Sequence, residues 1–91
     1  MLYLVSYDIP SDKRRVKLSN MLKNFGDRVQ YSVFECILSS VLYEKMVDGI
    51  NKLIDKKEDS VRVYTLCLAC EKHVRIFGQG EISRIEKVYI I

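Results

Sequence analysis

Leu2-Tyr3-Leu4-Val5-Ser6-Tyr7-Asp8, followed at once by Ile9-Pro10-Ser11 and the basic block Lys13-Arg14-Arg15, is the stretch whose reading decides the fold. Its alternating positions are largely apolar on both faces, the pattern of a central strand. Asp8 is delivered to the strand's tip. Ser11 is a good helix cap with Pro10 just before it, so a helix follows directly. That helix begins with cations, although a helix N-terminus already carries positive partial charge. Each such cation costs about 0.3–1 kcal/mol. A chain that keeps this arrangement is expected to hold an anion nearby, and phosphate is the natural one. A lone carboxylate beside a phosphate site in turn suggests a divalent metal.

Outward from this stretch, Leu18, Met21, Leu22 and Phe25 follow helical spacing. They predict an amphipathic helix over 12–25 that Gly26 ends. Residues 28–38 are β-branched and aromatic and read as strand. Ser39 or Ser40 caps a second helix, whose apolar stripe runs from Tyr43 through Met46, Val47, Ile50 and Leu53 to Ile54. Residues 60–68 read as a strand and Val74-Arg75-Ile76-Phe77 as a short one. Gly78-Gln79-Gly80 reads as a turn, and residues 85–91 as a last strand. This order predicts an α+β sandwich, with two helices on one face of the sheet and the other face uncovered. An apolar uncovered face predicts a partner.

The 91 residues make a single domain, 1–91. A chain this short buries only about 60–65% of its unfolded surface and often oligomerises. Its hydrophobic fraction of 48% is high for the size, so part of it is expected to cover a subunit interface. A net charge of +3 is mildly basic and compatible with nucleic-acid binding. No run of about 18 apolar residues exists to span a membrane. The start lacks the pattern of a signal peptide. Three cysteines, an odd number, suit a reducing cytoplasm better than a disulfide framework.

Asp8 has two readings: a metal ligand, or a residue that caps the turn before Pro10. Lys13, Arg14, Arg15 and Lys17 either grip phosphates or form a solvated helix start. Arg14 and Arg15 fall on the inward side of Leu18, which favours a site or an interface. Arg28 either contacts phosphate or pairs with Asp27. Phe34 and Tyr31 are core residues or base-stacking platforms. Cys67-Leu68-Ala69-Cys70 with His73 invites a zinc reading, but one Cys-x-x-Cys pair falls short of four ligands. In an extended strand the two thiols would point to opposite faces. Small buried hydrophobes are the plainer expectation.

The tip Tyr7-Asp8-Ile9, the basic helix start and the block Gly26-Asp27-Arg28-Val29-Gln30-Tyr31-Ser32-Val33-Phe34-Glu35 resemble the small CRISPR-associated "Cas-two" proteins of the spacer-acquisition module. Ser60 to Tyr64 matches as well, so the resemblance covers essentially the whole chain. It implies a ferredoxin-like sandwich with an additional C-terminal strand, a homodimer with strand exchange, and association with the CRISPR integrase, "Cas-one". It also implies metal-dependent, Mg²⁺-type endonuclease activity on single-stranded RNA or double-stranded DNA. Asp8 matches the metal-binding aspartate, and Tyr7, Arg15, Arg28 and Phe34 match other important positions. Lys13 stands where an arginine is common, and lysine lacks the bidentate fork. The implied fold also needs a hairpin inside residues 28–38. Periodicity alone shows one long strand there, without an Asn-Gly or Asp-Gly turn. The break is placed near Ser32-Val33.

Two functions follow from the resemblance. One is a dimeric nuclease, with two Asp8 copies across a twofold axis and Arg15 and Arg28 nearby. The other is a scaffold that bridges integrase copies and lays nucleic acid on its basic surface. Outside the family, the alternative is a stand-alone RNA-binding module, which needs exposed aromatics such as Tyr3, Tyr7 and Tyr64 on the sheet face.

Overall fold

The computed structural model describes residues 1–78, in the order β1 (Leu2–Asp8), α1 (Asp12–Leu22), β2 (Asp27–Gln30), β3 (Val33–Ile37), α2 (Ser40–Leu53), β4 (Ser60–Leu66) and α3 (Leu68–Glu71). The sheet order is β2-β3-β1-β4, and every pairing is antiparallel. With α1 and α2 as crossovers this is the ferredoxin-like sandwich. β1 is a central strand, as its two apolar faces predict.

Ser11 caps α1, its hydroxyl accepting from the Arg14 N–H at 3.3 Å, and Ser39 caps α2 in the same way with Leu42. α1 ends at Leu22, three residues before the expected stop; Lys23 is its C-cap and Gly26 N–H closes back on the Leu22 carbonyl at 3.0 Å. The hairpin that periodicity missed is present, with Tyr31-Ser32 as its turn, one residue before the expected break. A bulge between Arg28 and Gln30 shifts the ladder there. Such a bulge re-aims side chains beside a hairpin end.

The alternation of β1 divides its side chains. Tyr3, Val5, Tyr7 and Ile9 join the core under the helices with Leu18, Leu22, Phe34, Met46 and Ile50. Phe34 is fully buried and so belongs to the core. Tyr7 stacks near it with ring centroids 6.3 Å apart, and Tyr3 stacks on Tyr43 at 4.4 Å. Leu4, Ser6 and Asp8 therefore lie on the opposite face, in register with Tyr64, Arg62 and Ser60 on β4.

Two expectations about the chain after β4 change. Residues 74–77 form no ladder. Cys67 caps α3 in place of continuing the strand, so the chain turns out of β4. Val74–Phe77 instead wall a cleft of about 560 Å³ on the open face, together with Leu4, Ser6, Val33 and Tyr64. Cys67 and Cys70 are also exposed, not buried. Gly78 has φ +93°, a region that favours glycine and suits the turn reading. Gln79, Gly80 and the expected strand over 85–91, with Val88–Ile91 set to add to a partner's sheet, lie outside the described residues.

Candidate functional site

Two polar sites flank β1, one on each face. Tyr7, Arg15, Val16, Ser19, Asn20, Lys23, Arg28 and Tyr31 line a cleft of about 300 Å³ between α1 and the β2–β3 hairpin. Arg28 faces this side because it pairs with Phe34 in the ladder. Its guanidinium lies 5.6 Å from the Phe34 ring centroid and donates to the Ser19 hydroxyl. That holds the cation over an aromatic face and fixes its orientation. Arg15 donates to the Ile9 carbonyl at 2.9 Å and to Asp12. Tyr31 stands at the hairpin tip and is 78% exposed, the more accessible of the two aromatics weighed for base stacking.

Sequence reasoning found Arg15 and Arg28 here and missed Ser19, Asn20 and Lys23. The signal was available: positions 15, 19 and 23 are spaced four apart and share one helical face. Lys13 and Lys17 are exposed on the same helix but do not line the cleft.

Arg14 is placed elsewhere. Its Nε donates to Asp59 Oδ2 at 2.8 Å, and its Nη2 donates to Asp59 Oδ1 at 3.1 Å and to Glu58 at 2.9 Å. The same Asp59 Oδ2 accepts the Asp55 N–H at 2.8 Å, so the carboxylate ties the α2–β4 turn to α1. The anion expected beside the helix start is thus largely internal: Asp12, Glu58 and Asp59 supply the negative charge that the sequence argument assigned to phosphate. Arg14 is committed to the fold.

This pairing has a pH signature. The Arg14 guanidinium, and secondarily the Asp55 N–H, hold the Asp59 carboxyl below its ordinary value of 3.8. A carboxyl lowered in the folded state contributes stability above its unfolded pKa, and that stability is lost as pH falls through the folded value. The melting temperature is therefore expected to fall as pH drops below about 4, and Asp59→Asn to flatten that part of the profile. Thermal melts across the acid range check this; an unchanged profile in Asp59→Asn would exclude the assignment.

On the other face, Asp8 is exposed at the tip of β1. Ser6, Tyr7, Ser60, Arg62 and Tyr64 surround it in a cleft of about 270 Å³. Arg62 donates to the Tyr64 hydroxyl at 3.5 Å, which raises the guanidinium pKa further. The cation nearest in register to Asp8 is thus Arg62, whereas Arg15 and Arg28 open to the helix side. Ser60, Arg62 and Tyr64 were not singled out as neighbours of Asp8, since only the antiparallel register of β4 on β1 brings them there. Among the described residues no group of three or more His, Cys, Asp or Glu is placed to hold a metal. That covers both Asp8 within one chain and the zinc reading of Cys67, Cys70 and His73.

A family model for "CRISPR associated protein Cas2" matches residues 1–74, which include both sites. The chain belongs to the Cas2 family. A Chloroflexus aurantiacus relative named a CRISPR-associated endoribonuclease Cas2 is 41% identical, with all of both chains covered. The Streptococcus pyogenes Cas2 crystal structure at pH 6.5 is 31% identical with a TM-score of 0.76, covering 86% of this chain and all of that one. A Cas2-like chain in a partial Cas6-RT-Cas1–Cas2 complex is 33% identical with a TM-score of 0.70, covering 82% of this chain and 88% of that one. Nuclease naming and assembly with Cas1 thus occur within the family. No helix among the described residues is long and apolar enough to cross a membrane.

Proposed function

We propose that this chain is a CRISPR spacer-acquisition protein: a homodimer closed through the open sheet face that bridges Cas1 copies and binds nucleic acid. We further propose that it carries an Asp8-dependent, Mg²⁺-dependent endonuclease activity. The observation that supports this most is the exposure of Asp8 at the tip of β1, on the face the helices leave free. A second copy meeting that face would bring a second Asp8 towards the first. One chain alone supplies a single carboxylate, and Mg²⁺ takes one or two carboxylates with waters and phosphate oxygens. The donor set therefore fits the ion when the partner's copy and a phosphodiester complete it. When bound, such an ion supplies an activated water and charge at the leaving oxygen. Asp8 holds the negative charge that retains the ion, and Arg62 offers a phosphate contact beside it.

The basic cleft is the proposed nucleic-acid grip, with Arg15, Lys23 and Arg28 on the phosphate backbone and Lys13 and Lys17 extending the charge along α1. The cleft lined by Arg15 and Arg28 and the one around Asp8 open on opposite faces of β1 and share Tyr7, which favours the scaffold reading as a partner to the nuclease one: a grip on the first face does not use the carboxylate on the second. The stand-alone RNA-module reading is weakened because Tyr3 and Tyr7 are buried under the helices, which leaves Tyr64 on the open face.

Binding is expected to be electrostatic. If a dimer neutralises about 6 phosphates, log affinity for duplex DNA should fall against log salt with a slope near −5. Lys23→Ala should reduce the slope by about 1 per cleft engaged, across sequences alike. Arg14→Ala should leave the slope unchanged and lower the melting temperature. Anisotropy titrations at several salt concentrations test this. A flat salt response, or a loss of slope in Arg14→Ala but not in Lys23→Ala, would exclude the cleft.

A further inference from the structure

Cys67 and Cys70 are not absorbed by either polar site. Cys67 follows the last ladder pair, Leu2 with Leu66, and takes the cap position of α3 with extended backbone, φ −74° and ψ 168°. Cys70 lies within that one-turn helix, and both thiols are exposed. Cys70 is the third residue after the cap, the position that an N-cap side chain reaches when it folds back over the first turn. A disulfide needs Cβ atoms about 4 Å apart, and this cap-to-third-residue placement sets the two thiols on the same side of the turn. Cys36, the third cysteine, is fully buried in the core.

We propose that Cys67 and Cys70 form a thiol–disulfide exchange site that takes low-molecular-weight disulfides and closes to an intramolecular Cys67–Cys70 bond. The two residues differ in role. Cys67 holds the cap position, beside the backbone N–H groups of the first turn that have no partner within the helix. Its side chain makes no cap hydrogen bond, yet its thiol lies below the ordinary value, first through the Cys70 backbone N–H and then the Cys70 thiol. The Cys67 side chain in turn raises Cys70. Cys67 is therefore the attacking thiolate and Cys70 the resolving thiol. Burial, with Asp27 and Glu35 adding to it, pushes the Cys36 thiol up to about 12, which keeps it protonated and inert.

The exchange balances without another reactant. The Cys67 thiolate attacks one sulfur of the disulfide, that S–S bond breaks, and one small thiolate leaves with the electron pair. Cys70 then gives up its proton and attacks Cys67 Sγ. The second small thiolate leaves and takes a proton. The protein dithiol is oxidised to a disulfide, and the small disulfide is reduced to two thiols. The bond ties the turn that hands the chain from β4 to Val74–Phe77, the segment walling the cleft on the open face.

Oxidised glutathione is the probe, applied to the intact chain near neutral pH and read by mass spectrometry with peptide mapping. The expected wild-type product has lost two hydrogens, carries no adduct, links Cys67 to Cys70, and retains a free Cys36. Cys70→Ser should react at a near-wild-type rate but stop as a glutathione adduct on Cys67. Cys67→Ser should react at least about tenfold more slowly. Because both residues are exposed, neither variant is expected to unfold, and a thermal melt confirms this. Stable glutathione adducts on the wild type, equal rates for the two variants, or no reaction at Cys67 would overturn the proposal.

Discussion

Asp8→Asn is expected to lower Mg²⁺-stimulated cleavage of nucleic acid by about a hundredfold or more, because it removes the charge that retains the ion. It should leave the rest of the molecule nearly untouched. Asp8 is exposed, and its pairing with Ser60 runs through the backbone, so the amide keeps both the strand and the shape of the tip. The basic cleft opens on the other side of β1, so the salt dependence of binding should not change. The readouts are cleavage of single-stranded RNA and duplex DNA with Mg²⁺ and with a chelator, the melting temperature, and sedimentation. A purified Asp8→Asn protein that cleaves as fast as wild type would remove the catalytic assignment. Spacer acquisition with the integrase adds a separate test. Retained acquisition in the cleavage-dead variant would show that bridging and binding carry the biology, whereas lost acquisition with unchanged dimerisation and binding would show that cleavage does.

How far the sequence could lead is visible in particular residues. The central position of β1 followed from its two apolar faces, and both caps from single serines, because these signals are local. Residues 28–38 gave no local sign of a turn, and the hairpin at Tyr31-Ser32 came from resemblance alone. Its turn lacks the glycine-containing dipeptides that mark short hairpins. The cation-rich start of α1 was read correctly as a conflict, but its resolution was non-local. Glu58 and Asp59 are more than forty positions away and reach Arg14 only through the α2–β4 turn. The neighbours of Asp8 were hidden for the same reason. Ser60, Arg62 and Tyr64 acquire their place from strand register, which no single-sequence periodicity specifies.

Gly26→Ala is expected to destabilise the fold by about 3 kcal/mol or more, although the sequence reads this glycine only as a helix stop. The reason is space. A Cβ there would lie 2.2 Å from the Glu35 carbonyl oxygen, 2.6 Å from Cys36 Sγ and 2.9 Å from Cys36 Cα. Two of those atoms are backbone of β3, which cannot yield cheaply, because Phe34 and Cys36 on either side of Glu35 are fully buried. The glycine lets the chain leaving α1 run directly against β3 before β2 pairs with it, so the substitution strains the strand beneath Arg28 and its cleft as well. Gly49→Ala is the matched control. There the new Cβ meets Met21 Cε at 3.1 Å and Sδ at 3.2 Å, the far end of a flexible side chain. Alanine also favours a helix over glycine by up to about 1 kcal/mol. Gly49→Ala should therefore be neutral or mildly stabilising. Guanidinium denaturation at one fixed protomer concentration compares the two, since association would otherwise shift the midpoints. A Gly26→Ala midpoint matching wild type would mean that β3 can move away from α1 without cost, and the cleft between α1 and the hairpin would then lack the rigid wall that positions Arg28.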